Sequence, residues 1–196
     1  MRILYTGIGA RATPGPLVDA HELTPLSRLK RWGYSLGKLD MILRSGAADG
    51  ADHAFENGCD IANGKKEIYL PWAGFNESDS PLYYIPIEAF EAAADVYGAS
   101  WKYISQPTKK LMARNMLQIM GFGLDTPSKF VLCWTPDGCN TKQTRTKNTG
   151  GTGQAIAYAY EMEIPIFNFK NENGEDEFID FLSNHLNGME WEDKIE

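Results

Sequence analysis

Short apolar runs alternate with longer stretches in which hydrophobic residues recur every three or four positions. The runs Ile3–Thr6, Met41–Arg44, Glu67–Leu70, Lys129–Trp134 and Pro165–Phe169 have the length of strands, and most are bounded by Gly, Pro or Asp. Between the first two, Leu23, Leu26, Leu29, Trp32 and Leu36 keep the spacing of a helix that buries one face. Gly50–Asn57, Ile87–Tyr97, Thr108–Met120, Gln154–Glu161 and Glu175–Leu186 read as further helices. Strands and helices in alternation predict an α/β fold, doubly wound, with a mainly parallel sheet flanked by helices on both faces.

Pro71–Pro86 has no period and is expected to be a loop insertion; its Trp72, Phe75, Tyr83 and Tyr84 either stack on a base or cover an edge of the core. Asn184–Glu196 is polar and acidic apart from Met189 and Trp191 and is expected to fray. The 196 residues suit a single domain spanning 1–196, given about 150 residues per domain. Hydrophobic residues at 43% and charged residues at 23% are ordinary globular usage, which excludes wholesale disorder. No apolar run approaches the roughly 18 residues of a membrane span, so no membrane partner is expected. Twenty-six acidic against 19 basic residues leave a net charge of −7, which disfavours nonspecific coating of DNA. Cys59, Cys133 and Cys139 form no CxxC pair, and His21, His53 and His185 are scattered, so neither a metal site nor a cofactor is expected. The chain starts on a strand without an apolar leader, and a cytoplasmic, reducing location is the expectation.

Candidate chemistry gathers in three small-residue turns, each after a strand. In an open parallel sheet such turns meet at the carboxyl edge, where ligands bind. The first, Thr6-Gly7-Ile8-Gly9-Ala10-Arg11, combines two glycines for close backbone approach with an arginine able to grip phosphate in two places. A plain tight turn is the alternative. The second, Ser45-Gly46-Ala47-Ala48-Asp49-Gly50-Ala51-Asp52, offers backbone amides to an anion and Asp49 or Asp52 to ribose hydroxyls, unless Asp49 merely caps the following helix. His53 beside it reads as structural.

The third turn is the strongest signal. Lys142, Arg145 and Lys147 lead into Thr149-Gly150-Gly151-Thr152-Gly153 and then an alanine-rich helix. Unpaired amides and the positive end of a helix dipole suit a phosphate there, although no Gly-Lys-Ser/Thr follows to make a Walker A loop. On the helix Thr108–Met120, Lys109 and Lys110 read as a solvated charge run, whereas Arg114 and Asn115 stand amid Leu, Met and Ile and are expected to look into the cleft.

In order, Tyr5–Arg11, Ser45–Asp52, Arg114–Met116, Gly150–Ala155 and Ile164–Phe167 resemble the SLOG superfamily. That superfamily includes DNA-processing protein A (the Smf/DprA recombination mediators) and the LOG phosphoribohydrolases, and the likeness is nearest to small DprA-like proteins of phages and bacteria. The resemblance covers most of the chain and implies a Rossmann-like fold whose glycine loops bind nucleotide phosphate at the strand ends. It implies that Gly7, Gly9, Arg11, Ser45, Gly46, Gly150, Gly151, Thr152 and Gly153 hold phosphate, that Asp49 or Asp52 holds ribose, and that Arg114 with Asn115 completes the site.

LOG enzymes carry a catalytic glutamate where this chain has Ala157, which exchanges no proton, so no catalytic residue is assigned unless Glu161, Asp49 or Asp52 substitutes. DNA-binding DprA proteins typically carry an arginine where this chain has Asp49. The leading expectation is therefore a binder of a nucleotide or nucleotide-derived small molecule that senses or sequesters a signal. The alternatives are a single-stranded DNA-binding recombination mediator, using Lys109, Lys110, Arg114, Lys142, Arg145 and Lys147, and a nucleoside monophosphate phosphoribohydrolase. Homo-oligomers are common in the superfamily, but no heptad marks one here.

Overall fold

The computed structural model describes residues 2–15 and 23–185. His21, Leu186 and the tail beyond it, with Met189 and Trp191, lie outside the described residues. The elements run β1 (Leu4–Gly9), α1 (Pro25–Lys38), β2 (Ile42–Ser45), α2 (Ala51–Ile61), β3 (Lys65–Ile68), α3 (Ile87–Tyr97), α4 (Gln106–Met120), β4 (Val131–Trp134), α5 (Thr152–Glu161), β5 (Ile166–Asn168) and α6 (Gly174–His185). The five strands are all parallel, in the order β3-β2-β1-β4-β5. This is the expected Rossmann-like α/β arrangement.

Alternation along each strand sends side chains to two cores. Tyr5, Leu43, Leu132 and Phe167 pack against Leu29, Trp32 and Leu36 of α1, Phe55 of α2, and Phe178 and Leu182 of α6. Ile8, Val131 and Cys133 face the other way, onto α3, α4 and α5. Capping sets two of the helix starts. Thr24 and Ser105 each accept from a backbone N–H three residues on, at 3.3 Å, and Pro25 and Pro107 occupy first-turn positions that need no donor.

Two expectations need correction. The first strand does not end at Thr6 but runs on through both glycines, because they are what lets α2 close on the sheet. A Cβ on Gly7 would sit 2.6 Å from Phe55 Cγ, and one on Gly9 would sit 2.6 Å from Ala51 Cβ. The third strand begins two residues earlier than Glu67 and closes one edge of the sheet. Its exposed Lys65 and Lys66 break the apolar pattern by which a strand is recognised, as charged residues on edge strands do. Pro71–Pro86 is irregular apart from a short turn at Phe75–Glu77. No described helix is long and apolar enough to cross a membrane.

Candidate functional site

The strand order reverses between β1 and β4, and a cleft of about 470 Å³ opens where these two strands end. Its wall on one side is the turn Gly9-Ala10-Arg11-Ala12 after β1. Pro136 after β4 and the stretch Asn148–Thr152 opening α5 form the other side, and Leu111, Met112, Arg114, Asn115 and Gln118 of α4 close it. Sheets of this kind bind ligands at such a reversal because the two outgoing turns diverge and leave a crevice.

The floor is polar and buried. Arg114 reaches from α4 to Asp52 in the first turn of α2, Nη1 to Oδ2 at 3.6 Å, with each side chain only 5% exposed. The Gly9 N–H donates to the other oxygen of Asp52 at 3.1 Å. With its amide oxygen turned toward the donors, Gln118 accepts from Arg114 Nη1 and from the Gly46 N–H, both at 2.9 Å, and its nitrogen donates to Asn115 Oδ1 at 3.1 Å. Burial pushes the Asp52 carboxyl up to about 6 against the opposing pull of Arg114, so the pair is predominantly charged at neutral pH. Burial also draws Arg114 below its ordinary value, and Asp52 restores part of it. Arg114 Nε is buried and has no hydrogen-bond partner among the described residues. A buried guanidinium with an unused donor is costly unless something else satisfies it.

The roof of the site is the start of α5. Gly150 takes φ +62°, in open space where a side chain would be strained but not obstructed. The first helical bonds come from the N–H groups of Gly153 and Gln154 to the carbonyls of Gly150 and Gly151, so the amides of Gly150, Gly151 and Thr152 precede them. This helix has no side-chain cap and no acidic residue in its first turn. Three bonds hold it over the cleft: Thr152 Oγ1 donates to Gly9 O at 2.9 Å, and Asn115 Nδ2 donates to Gly151 O at 3.3 Å and to Gln154 Oε1 at 3.2 Å. The loop leading into it is fastened by Asp137, whose carboxylate accepts from Thr146 and Thr149 hydroxyls and, at 3.4 Å, from the Cys139 N–H. Burial raises the Asp137 pKa, but the hydroxyl donors outweigh it and hold the group at about 2.

Of the residues expected to bind, Gly9, Arg11, Asp52, Arg114, Asn115, Gly150, Gly151 and Thr152 share this cleft. The other five do not line it. Gly7 lies within the sheet beneath Phe55, Ser45 spends its hydroxyl on the Gly7 carbonyl at 2.7 Å, and Gly46 lies against Arg114 and Gln118. Gly153 is covered by the stem of Arg145. Asp49 is exposed and caps nothing; Gly50 is the cap residue of α2, at φ +79°. Asp52, offered with Asp49 as an alternative ribose ligand, has its oxygens turned to Gly9 and Arg114.

Ala157 is fully buried in the second core, and Glu161 pairs with Lys142 on the surface, which leaves Asp52 as the only carboxylate lining the cleft among the described residues. Phe75 from the long loop is buried beside Trp72 and stacks under the Arg114 guanidinium at 5.9 Å, while Tyr83 and Tyr84 are exposed. Gln118 and Asp137 were not singled out from the sequence. Gln118 was signalled by its place one turn beyond Arg114 on an otherwise apolar helix face, whereas nothing local distinguishes Asp137.

No family model, curated protein or solved structure matches the chain.

Proposed function

We propose that the cleft binds a nucleotide or a nucleotide-derived small molecule by its phosphate, and that the protein acts by sensing or sequestering that molecule. The observation that carries this reading is the meeting of an uncapped helix start, Gly150-Gly151-Thr152, with the buried Arg114 and the exposed Arg11 in one crevice at the reversal of strand order. Amides at a helix start and a guanidinium both favour a compact anion. Ile8, Leu111, Met112 and Ala155 supply apolar walls for a base or sugar, and the volume falls in the range of small-molecule sites. The ordered motifs that resemble the SLOG superfamily point the same way, as does the net charge of −7, which suits a small ligand in a local cationic cleft better than a long polyanion.

The test is thermal unfolding with and without nucleoside mono-, di- and triphosphates. A ligand at about 100 times its Kd adds roughly 2.7 kcal/mol, which for a chain of this size raises Tm by about 5–10 °C. Phosphate-free nucleosides are expected to give much smaller shifts. No shift with any nucleotide at millimolar concentration would overturn the proposal.

A further inference from the structure

A second cleft, of about 460 Å³, adjoins the first, and the two share Met112, Gly150 and Gly151. Arg145 and Lys147 line it from one side, and Tyr97, Thr108 and Gln154 line it from the others. The stem of Arg145 lies across the first turn of α5: a Cβ added to Gly153 would meet Arg145 Cδ at 2.7 Å. A cation is thereby placed beside the positive end of a helix, where cations are destabilising unless an anion joins them.

No carboxylate among the described residues answers this charge. Neither Arg145 nor Lys147 makes a salt bridge among the described residues, although acidic residues outnumber basic ones in the chain by 26 to 19. The nearby Asp137 is occupied by Thr146, Thr149 and the Cys139 amide. Gln154, only 3% exposed, adds a buried polar group at the wall. Its carbonyl oxygen accepts from Asn115, while its nitrogen, which carries two hydrogens, finds among the described residues only the Met116 sulfur at 3.6 Å, a weak acceptor.

We propose that this second cleft is an anion subsite for the same ligand, and that the ligand bears two phosphate groups, one on either side of the Gly150–Gly151 turn, as a 5′-phosphorylated dinucleotide does. The inference rests on the phosphate-binding reading of the first cleft and deepens it. The first phosphate meets Arg114, Arg11 and the α5 amides; the second meets Arg145, Lys147 and the Gln154 amide. Ligands holding one phosphate occupy half of the site.

Calorimetric titration at fixed ionic strength separates the two readings. The probes are the common ribonucleoside monophosphates, the matching 5′-phosphorylated dinucleotides, and a 5′-phosphorylated oligonucleotide of about ten residues. On the unaltered protein the best dinucleotide is expected to bind at least about tenfold tighter than its mononucleotide. Arg145→Ala/Lys147→Ala, at two exposed positions, is expected to erase that advantage and leave the mononucleotide affinity unchanged, with circular dichroism confirming the fold. The subsite is wrong if mono- and dinucleotide bind alike, or if the double variant weakens both equally, while the first cleft stands. An affinity that keeps climbing with length up to the longer oligonucleotide makes the surface a polymer track and also overturns it. Failure of every probe removes both readings.

Discussion

Arg114 and Asp52 hold opposite charges out of water at the bottom of the cleft, and each has polar partners besides the other. Removing one partner of such a pair leaves the other uncompensated, at a cost of about 3–5 kcal/mol. Arg114→Ala therefore destabilises the protein, and more at pH 8 than at pH 5. The sign follows from Asp52, whose carboxyl is already raised to about 6 by burial and rises further without the guanidinium. A group whose pKa is higher in the folded state lends stability that is fully present below its unfolded value, 3.8, and is lost as pH climbs through the folded one. In the unaltered protein that decline falls between about pH 4 and 6, and Asp52→Asn is expected to remove it. Urea unfolding of the three proteins across pH 4 to 8 checks both points; equal penalties for Arg114→Ala at pH 5 and pH 8 would mean that Asp52 is not the titrating partner. The adjacent Asn115 does different work, tying α4 to the start of α5. Arg114 and Asn115 were legible as site residues because polar groups amid Leu, Met and Ile need a reason. Asp52 was legible as a cleft residue, whereas nothing in the spacing shows that its oxygens turn to Gly9 and Arg114.

Among the elements, helices were read more faithfully than strands. The span of α3 is the expected one, and α4 starts two residues before its expected start, where Ser105 caps it. β1 and β3 differ for opposite reasons. The glycines of β1 look like a turn locally but serve tertiary packing under α2, and the lysines of β3 hide an edge strand. The loop from Pro136 to Thr149 depends on one carboxylate. Asp137 gathers hydroxyl donors from the far end of that loop, an arrangement of distant residues that no local pattern announces. Asp137→Ala is expected to speed amide hydrogen exchange across residues 140–151 by at least about tenfold, the worth of one charge-assisted hydrogen bond, while the strands stay protected. Because Asp137 is depressed to about 2, its contribution is present above its ordinary 3.8 and lost only as pH falls toward 2, a window separate from that of Asp52.

At the scale of the whole molecule, the order β3-β2-β1-β4-β5 is what brings together turns that lie far apart in the chain. Alternation of strands and helices was enough to expect a parallel sheet, and a parallel sheet was enough to expect its turns at one edge. Which turns face each other depends on the reversal between β1 and β4. That reversal selects the turns after β1 and before α5, leaving Gly46, just after β2, behind Arg114, and Ser45, the last residue of β2, bonded to the Gly7 carbonyl. In the proposed phosphate site, amides of the Gly150–Thr152 turn and the cations Arg11 and Arg114 act on one anion. Amide nitrogen–proton correlation spectra recorded while inorganic phosphate or a nucleoside monophosphate is added test it most directly. The Gly150, Gly151 and Thr152 amides and the Arg114 side-chain resonances are expected to move together along one saturation curve, and Arg11→Ala to weaken that curve. Shifts scattered over the surface, or separate curves for the helix start and for Arg114, would contradict a single anion site.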